Sequence, residues 1–149
     1  MEKVLVTGAT GYIALHCIHQ LLNQGYAVNG SLRSPERKDE IIEALKKDNT
    51  PVENLRLFTF NLTEDDGWDE GMEGCDFLLH VASPLSINTH DEDYFVKPAV
   101  SGVKRAFKFA KKHNVKKVIL TSSVAAILET GEDKQYFDET DWSDPESPE

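Results

Sequence analysis

Apolar residues fall in short continuous runs separated by longer stretches in which they recur every three or four positions. The first run, Val4-Leu5-Val6, leads into Thr7-Gly8-Ala9-Thr10-Gly11 and predicts a strand followed by a glycine turn. Ile13, Cys17, Ile18, Leu21 and Leu22 then lie along one helical face, which predicts a helix over residues 12–24 that Gly25 ends. Residues 26–32 alternate loosely and read as a second strand. Pro35 opens a charged helix over 36–47, with Ile41, Ile42 and Leu45 turned inward. The β-rich run within 54–60 is a third strand. Residues 63–73 are polar and interrupted by Gly67 and Gly71, so they form a short helix at most. Residues 76–81 give a fourth, continuously apolar strand suited to the middle of a parallel sheet. A loop follows Ser83. A long helix over 91–113 carries Phe95, Val103, Phe107 and Ala110 among its inward positions, and a fifth strand over 115–120 delivers Thr121-Ser122-Ser123.

Strand and helix alternate throughout, which argues for an α/β fold with a doubly wound parallel sheet. Right-handed crossovers and a glycine turn after the first strand give the strand order 3-2-1-4-5. Ligands in such sheets bind beyond the carboxyl ends of the strands, where the order reverses between strands one and four. Residues 1–128 make one domain. Residues 129–149 hold nine acids and one lysine and are expected to be a disordered acidic tail.

The turn has the spacing Gly8-x-x-Gly11-x-x-Ala14. Gly8 permits a sharp turn off the strand, Gly11 lets a pyrophosphate approach free N–H groups at a helix start, and small Ala14 lets the helix lie against the strand. An ordinary strand–turn–helix with two convenient glycines is the alternative. The second strand ends Gly30-Ser31-Leu32-Arg33-Ser34, without the acid that would hold a ribose 2′-hydroxyl. Arg33 stands where a guanidinium would pair with a 2′-phosphate, and Arg37 and Lys38 lie one turn further on. NADP is therefore the expected cofactor, unless Arg33 is only a solvated surface charge.

Composition narrows this little further. Of the 149 residues, 40% are hydrophobic and 28% charged, the proportions of a globular domain. No apolar run approaches the length of a membrane span and the chain enters a strand at once, so a cytoplasmic location is expected. Cys17 and Cys75 are isolated, with no metal-binding or disulfide spacing, and read as small core residues. The net charge of −10 sits mostly in the acidic tail, and no basic stripe marks nucleic acid as a partner. A small molecule is the expected partner.

The motifs taken together resemble the extended short-chain dehydrogenases/reductases, which are epimerase/dehydratase-like. Within them the chain is similar to the branch of dihydroflavonol reductase, cinnamoyl-CoA reductase and related aldehyde/ketone reductases. The resemblance rests on residues 6–14, Ser31-Leu32-Arg33, His80-Val81-Ala82-Ser83-Pro84, Lys97-Pro98-Ala99-Val100-x-Gly102, residues 121–126 and residues 137–144, in family order. It implies a Rossmann sheet, NADP as cofactor and a small carbonyl compound as substrate. It further implies that Gly8, Thr10, Gly11 and the backbone of Tyr12 and Ile13 meet the pyrophosphate, with Arg33 and Lys38 at the 2′-phosphate. Asn61-Leu62 takes the place of an Asp-Leu pair at the adenine. Val81, Ala82 and Ser83 would line the nicotinamide half. Thr121 and Ser122 would orient the loop or touch the cofactor, and Ser123 would polarise the substrate carbonyl. From the residues alone, the Ser/Thr cluster is equally a turn. Leu128 stands where plant dihydroflavonol reductases carry an Asn that holds the flavonoid, which favours a simpler or more apolar substrate.

The family's proton donor is a Tyr with a Lys four residues later. Here Tyr12, Tyr26, Tyr94 and Tyr136 are followed at that spacing by His16, Gly30, Pro98 and Thr140. The chain is accordingly expected to be the truncated N-terminal part of a longer reductase, with a sheet incomplete at its C-terminal side and little activity alone. A short protein completed by another chain, and a nucleotide-binding module without catalysis, are the other two explanations. A nucleotide-sugar epimerase or dehydratase is the other enzyme reading. The sheet face under strands four and five is expected to be poorly covered, and self-association through it follows.

Overall fold

The computed structural model describes residues 1–84, 92–128 and 134–144. Five strands, β1 (Lys3–Val6), β2 (Ala27–Leu32), β3 (Leu55–Thr59), β4 (Phe77–His80) and β5 (Lys117–Leu120), form one sheet in the order β3-β2-β1-β4-β5. Every pairing is parallel. Central β1 pairs on both sides, Val6 being in register with Gly30 of β2 and Leu79 of β4. The order thus reverses between β1 and β4, and all five strands end at one edge.

Alternation along the strands divides the core. Val4 and Val6 of β1 join Ala14, Ile18 and Leu22 of α1 (Tyr12–Asn23) and Ile41 and Leu45 of α2 (Lys38–Lys47). Leu5, between them, faces the other side with Phe60, Trp68, Met72, Leu78, Ala106 and Phe109. These last residues belong mainly to α3 (Trp68–Met72), β4 and α4 (Glu92–Lys112). Asn29, a polar residue inside β2, faces this second core, where its amide donates to the Gly71 carbonyl at 2.7 Å. Such pairing removes most of the cost of burying it.

Three expectations about the helices change. The charged helix starts only at Lys38, because Pro35–Arg37 forms a 3-10 turn before it. The segment expected to be weak contributes the largest fully buried side chain, Trp68. Its glycines serve the fold: Gly67 has φ +81°, and a Cβ there would stand 2.7 Å from Phe60 Cβ and 2.8 Å from the Thr59 carbonyl. Among the described positions of α4, Gly102, Ala106, Phe109 and Ala110 are buried, while Phe107 is 50% exposed. Two apolar stripes compete on that helix, and small Gly102 decides between them by letting Leu62 approach to 3.2 Å of where a Cβ would be.

Ion pairs fasten α4 to the segment leading into α3. Asp65 pairs with Arg105 at 2.7 Å and also with Lys108, and Asp69 pairs with Lys112 at 2.7 Å and His113 at 2.8 Å. Hydrogen bonds led by Lys108 and Lys112 hold both carboxyls below the usual range. The pairs are exposed and individually weak. A surface groove of about 420 Å³ follows this seam, lined by Asp65, Asp69, Lys108 and Lys112. It lies between α4 and the segment leading into α3.

Beside β5 the α1 side of the sheet is open. Ile119, in register with Leu79, is 53% exposed. Part of the acidic segment is placed against α5 (Ala125–Leu128): Ser143 donates its N–H to the Ala126 carbonyl at 2.9 Å and its hydroxyl to the Ala125 carbonyl at 2.6 Å. The loop expected after Ser83, from residue 85 on, and residues 129–133 and 145–149 of the acidic segment lie outside the described residues. Among the described residues, no helix is long and apolar enough to cross a membrane.

Candidate functional site

The turn after β1 is fixed by backbone bonds. Gly8 has φ +76°, and a Cβ on it would stand 3.0 Å from the Ala82 Cβ, so the β1 and β4 strand ends touch there. The Gly11 N–H donates to the Gly8 carbonyl at 2.8 Å, the Ala9 N–H to the Ser31 carbonyl at 2.7 Å, and the Gly8 N–H to Ser31 Oγ at 3.2 Å. Gly11 caps α1 in an extended conformation. No side chain caps that helix, and its first turn holds no acid. The positive end of the helix dipole is therefore left for an anion. Ala14 is fully buried against the strand, as its size requires. Ile13, read from its spacing as a core position, is instead 55% exposed, because α1 starts at the sheet edge and its first turn overhangs the site.

At the end of β2, Arg33 is exposed and makes no hydrogen bond or ion pair among the described residues. Arg37, by contrast, is engaged: both arms of its guanidinium fork bond Glu40 at 2.8 Å. Lys38 lies half-buried at the start of α2. After β3, Asn61 Oδ1 accepts the Thr63 N–H at 3.4 Å, and the Asn61 carbonyl accepts the Trp68 indole N–H at 3.0 Å. The neighbouring Leu62 side chain packs into the second core against Gly102. The structure thus leaves Asn61 at the strand edge and commits the Leu62 side chain to helix packing.

The β4 end is held by two residues to which the sequence had given no role. Thr7, at the end of β1, accepts the N–H groups of Val81 and Ala82 on its hydroxyl oxygen, each at 3.0 Å. The same hydroxyl lies 2.9 Å from His80 Nδ1. His80 is buried, and burial pushes its imidazole below the usual histidine value. A polar pair at matching positions of two central apolar strands was the available sequence signal. Val81 and Ala82 are half-buried, and Ser83 is exposed at the edge.

After β5, Thr121, Ser122 and Ser123 are exposed. The Thr121 N–H donates to the His80 carbonyl at 3.1 Å, which ties this end to β4. Ser123 Oγ accepts the Ala125 N–H at 3.2 Å and so starts α5, while its own hydroxyl hydrogen is left to donate. The turn and the donor are thus compatible at one residue. Leu128 is 47% exposed at the end of α5. Tyr12 is also exposed, edge-on to His16 with ring centroids 4.6 Å apart. Burial raises the Cys75 thiol to about 11, which makes it inert. Among the described residues no group of three His, Cys, Asp or Glu side chains could hold a metal ion.

The parallel topology therefore gathers Gly8, Thr10, Gly11, Arg33, Asn61, Val81, Ala82, Ser83 and Thr121–Ser123 at one edge of the sheet. An uncapped helix start, a turn whose Gly8 leaves no room for a side chain, and an uncommitted guanidinium at the next strand end fit a phosphate-bearing dinucleotide. The sequence profile of the NAD dependent epimerase/dehydratase family matches residues 4–148. The chain belongs to that family.

Within the family it is 37% identical over 147 residues to a putative anthocyanidin reductase of Ginkgo biloba, covering 95% of this chain and 42% of that one. It is 32% identical over 143 residues to the dihydroflavonol 4-reductase of Dianthus caryophyllus, covering 95% and 39%. Among solved structures, yeast methylglyoxal/isovaleraldehyde reductase complexed with NADPH superposes with a TM-score of 0.82 at 31% identity, over 99% of this chain and 45% of that one. Vestitone reductase from alfalfa (Medicago sativa L.) gives 0.78 at 33%, over 97% and 43%. This family member spans less than half the length of these relatives.

Proposed function

We propose that the chain is the cofactor-binding portion of an NADP-dependent oxidoreductase acting on a small aldehyde or ketone. The observation that carries this reading is the exposed, uncommitted Arg33 at the end of β2, beside an uncapped α1 start. The amides of Tyr12 and Ile13 at that start, with Gly8, Thr10 and Gly11, would hold the pyrophosphate. Arg33 would form a charge-assisted fork with the 2′-phosphate, with Lys38 adding charge nearby. Asn61 would accept from the adenine amino group, and Val81, Ala82 and Ser83 would back the nicotinamide half. The bound cofactor supplies hydride transfer. Thr121 would touch the cofactor, and the Ser123 hydroxyl would donate to the substrate carbonyl oxygen as negative charge grows on it.

None of the chain's four tyrosines has a Lys four residues later. A positioned general acid contributes about 10²–10⁴-fold in rate, so this chain alone should bind NADPH well and reduce carbonyl compounds slowly. The reading is supported by reductase relatives and by neighbours solved with NADPH. It is tested by fluorescence titration with NADPH and NADH, followed by NADPH oxidation with a panel of aldehydes. Arg33→Asp should weaken NADPH binding roughly ten- to hundredfold, the worth of a charged hydrogen bond, and leave NADH unharmed. An unchanged NADPH/NADH ratio would overturn the assignment of Arg33, and failure to bind either nucleotide would overturn the reading as a whole.

A further inference from the structure

The Thr7 hydroxyl has three neighbours and a fixed capacity. Its oxygen already accepts two backbone N–H groups, from Val81 and Ala82, which uses both lone pairs. The one remaining valence is its own hydrogen, and the group left to receive it is His80 Nδ1 at 2.9 Å. Nδ1 must then be bare, so His80 is the neutral tautomer with its proton on Nε2. Burial works in the same direction, since it disfavours the charged ring.

We infer that His80 is a positioning residue for the nicotinamide half of the cofactor: by accepting the Thr7 proton it directs the Thr7 lone pairs at Val81 and Ala82 and fixes that segment against Gly8. The inference rests on the NADP reading above. The mechanical link is short, because Ala82 Cβ would be only 3.0 Å from a Cβ on Gly8. Nothing spare separates the β4 end from the turn. If His80 cannot accept, the hydroxyl must turn to find another acceptor, and one of the two amides loses its partner. A small displacement of Ala82 then alters the wall behind the nicotinamide. The 2′-phosphate contact at Arg33 lies on the opposite side of β1, beyond β2, and does not depend on this clamp.

The test compares two ligands that share one half, NADPH and 2′,5′-ADP, titrated against the full chain and its variants. His80→Leu removes the acceptor and should weaken NADPH about tenfold or more, the effect of stranding one buried polar group, while 2′,5′-ADP affinity stays within about twofold. His80→Asn places an amide oxygen where Nδ1 was, and Thr7→Ser keeps the hydroxyl, so both should recover most of the NADPH affinity. The inference is overturned if His80→Leu binds NADPH like the parent. It is equally overturned if His80→Leu loses both ligands in proportion, or if His80→Asn is no better than His80→Leu, because a merely structural role predicts those results. A parent chain that binds neither ligand overturns the cofactor reading itself, whereas a parent that binds both isolates the fate of His80.

Discussion

The two flanks of the central strand differ in how completely they are finished. On the β2 side, β1 and β2 are buried along nearly their whole length, and α1 and α2 close the face above them. On the β4 side, α3 and α4 close one face, yet β5 is mostly exposed and Ile119 stands open on the other. The features that would hold the adenosine and phosphates lie on the β2 side, at the turn between β1 and α1, the end of β2, the start of α2 and the residues after β3. The features that would handle a substrate, Ser123 and Leu128, lie on the open one. The proposed adenosine and substrate contacts therefore fall on different parts of the fold, with the proposed nicotinamide wall at the β4 end between them.

Four changes probe that contrast. Trp68→Ala empties the centre of the second core and should cost about 3–5 kcal/mol in urea unfolding, enough to unfold much of the protein. A loss under 1 kcal/mol would mean that the α3–α4 layer is dispensable. Gly8→Val forces a β-branched residue to φ +76° against Ala82. It should destabilise by roughly 1–3 kcal/mol and remove nucleotide binding altogether. Binding that survives this change would detach the finished flank from its assigned role.

Acid should act in two steps. His80 has a lowered folded value, so the unfolded chain takes up its proton first, and stability declines as pH falls below about 6.5. Asp65 and Asp69 are held low by their cations, so their contribution is present above about 4 and is lost as pH falls further, through their depressed values. Melting temperature followed from pH 7.5 to 3 should show both declines, and His80→Asn should remove the first alone. The smallest effect belongs to Ile119→Ser, which should change stability by no more than about 0.5 kcal/mol because the side chain is already half in water. A larger loss would show that the open face is covered in solution.

Much of the candidate site was legible in the sequence, because it rests on local rules. Gly8 and Gly11 announce a turn that only small residues permit, and Arg33 is found by counting to the end of a strand. What escaped was decided by packing between distant segments. Thr7 and His80 had no role of their own in the sequence, because pairing them needs residues 73 positions apart brought to 2.9 Å. Phe107 and Phe109 are both apolar and two residues apart, and neither announces that Leu62 will seat at Gly102 and turn Phe109 inward. Trp68 sat in a segment that local propensity dismissed, yet the room made by Gly67 and Gly71 beside Phe60 seats it at the centre of a core.

The sequence by itself determined the alternation of strands and helices, the order of the sheet, the phosphate-ready turn and the charge waiting beside it. Those features follow from periodicity, from glycine's freedom and from the handedness of crossovers, all of which act over a few residues or one connection. Only the tertiary structure decided that the Leu62 side chain serves α4, and that a threonine and a buried histidine lock the two central strand ends together. Each of these is a choice between partners of similar chemistry, and proximity in the folded chain makes that choice.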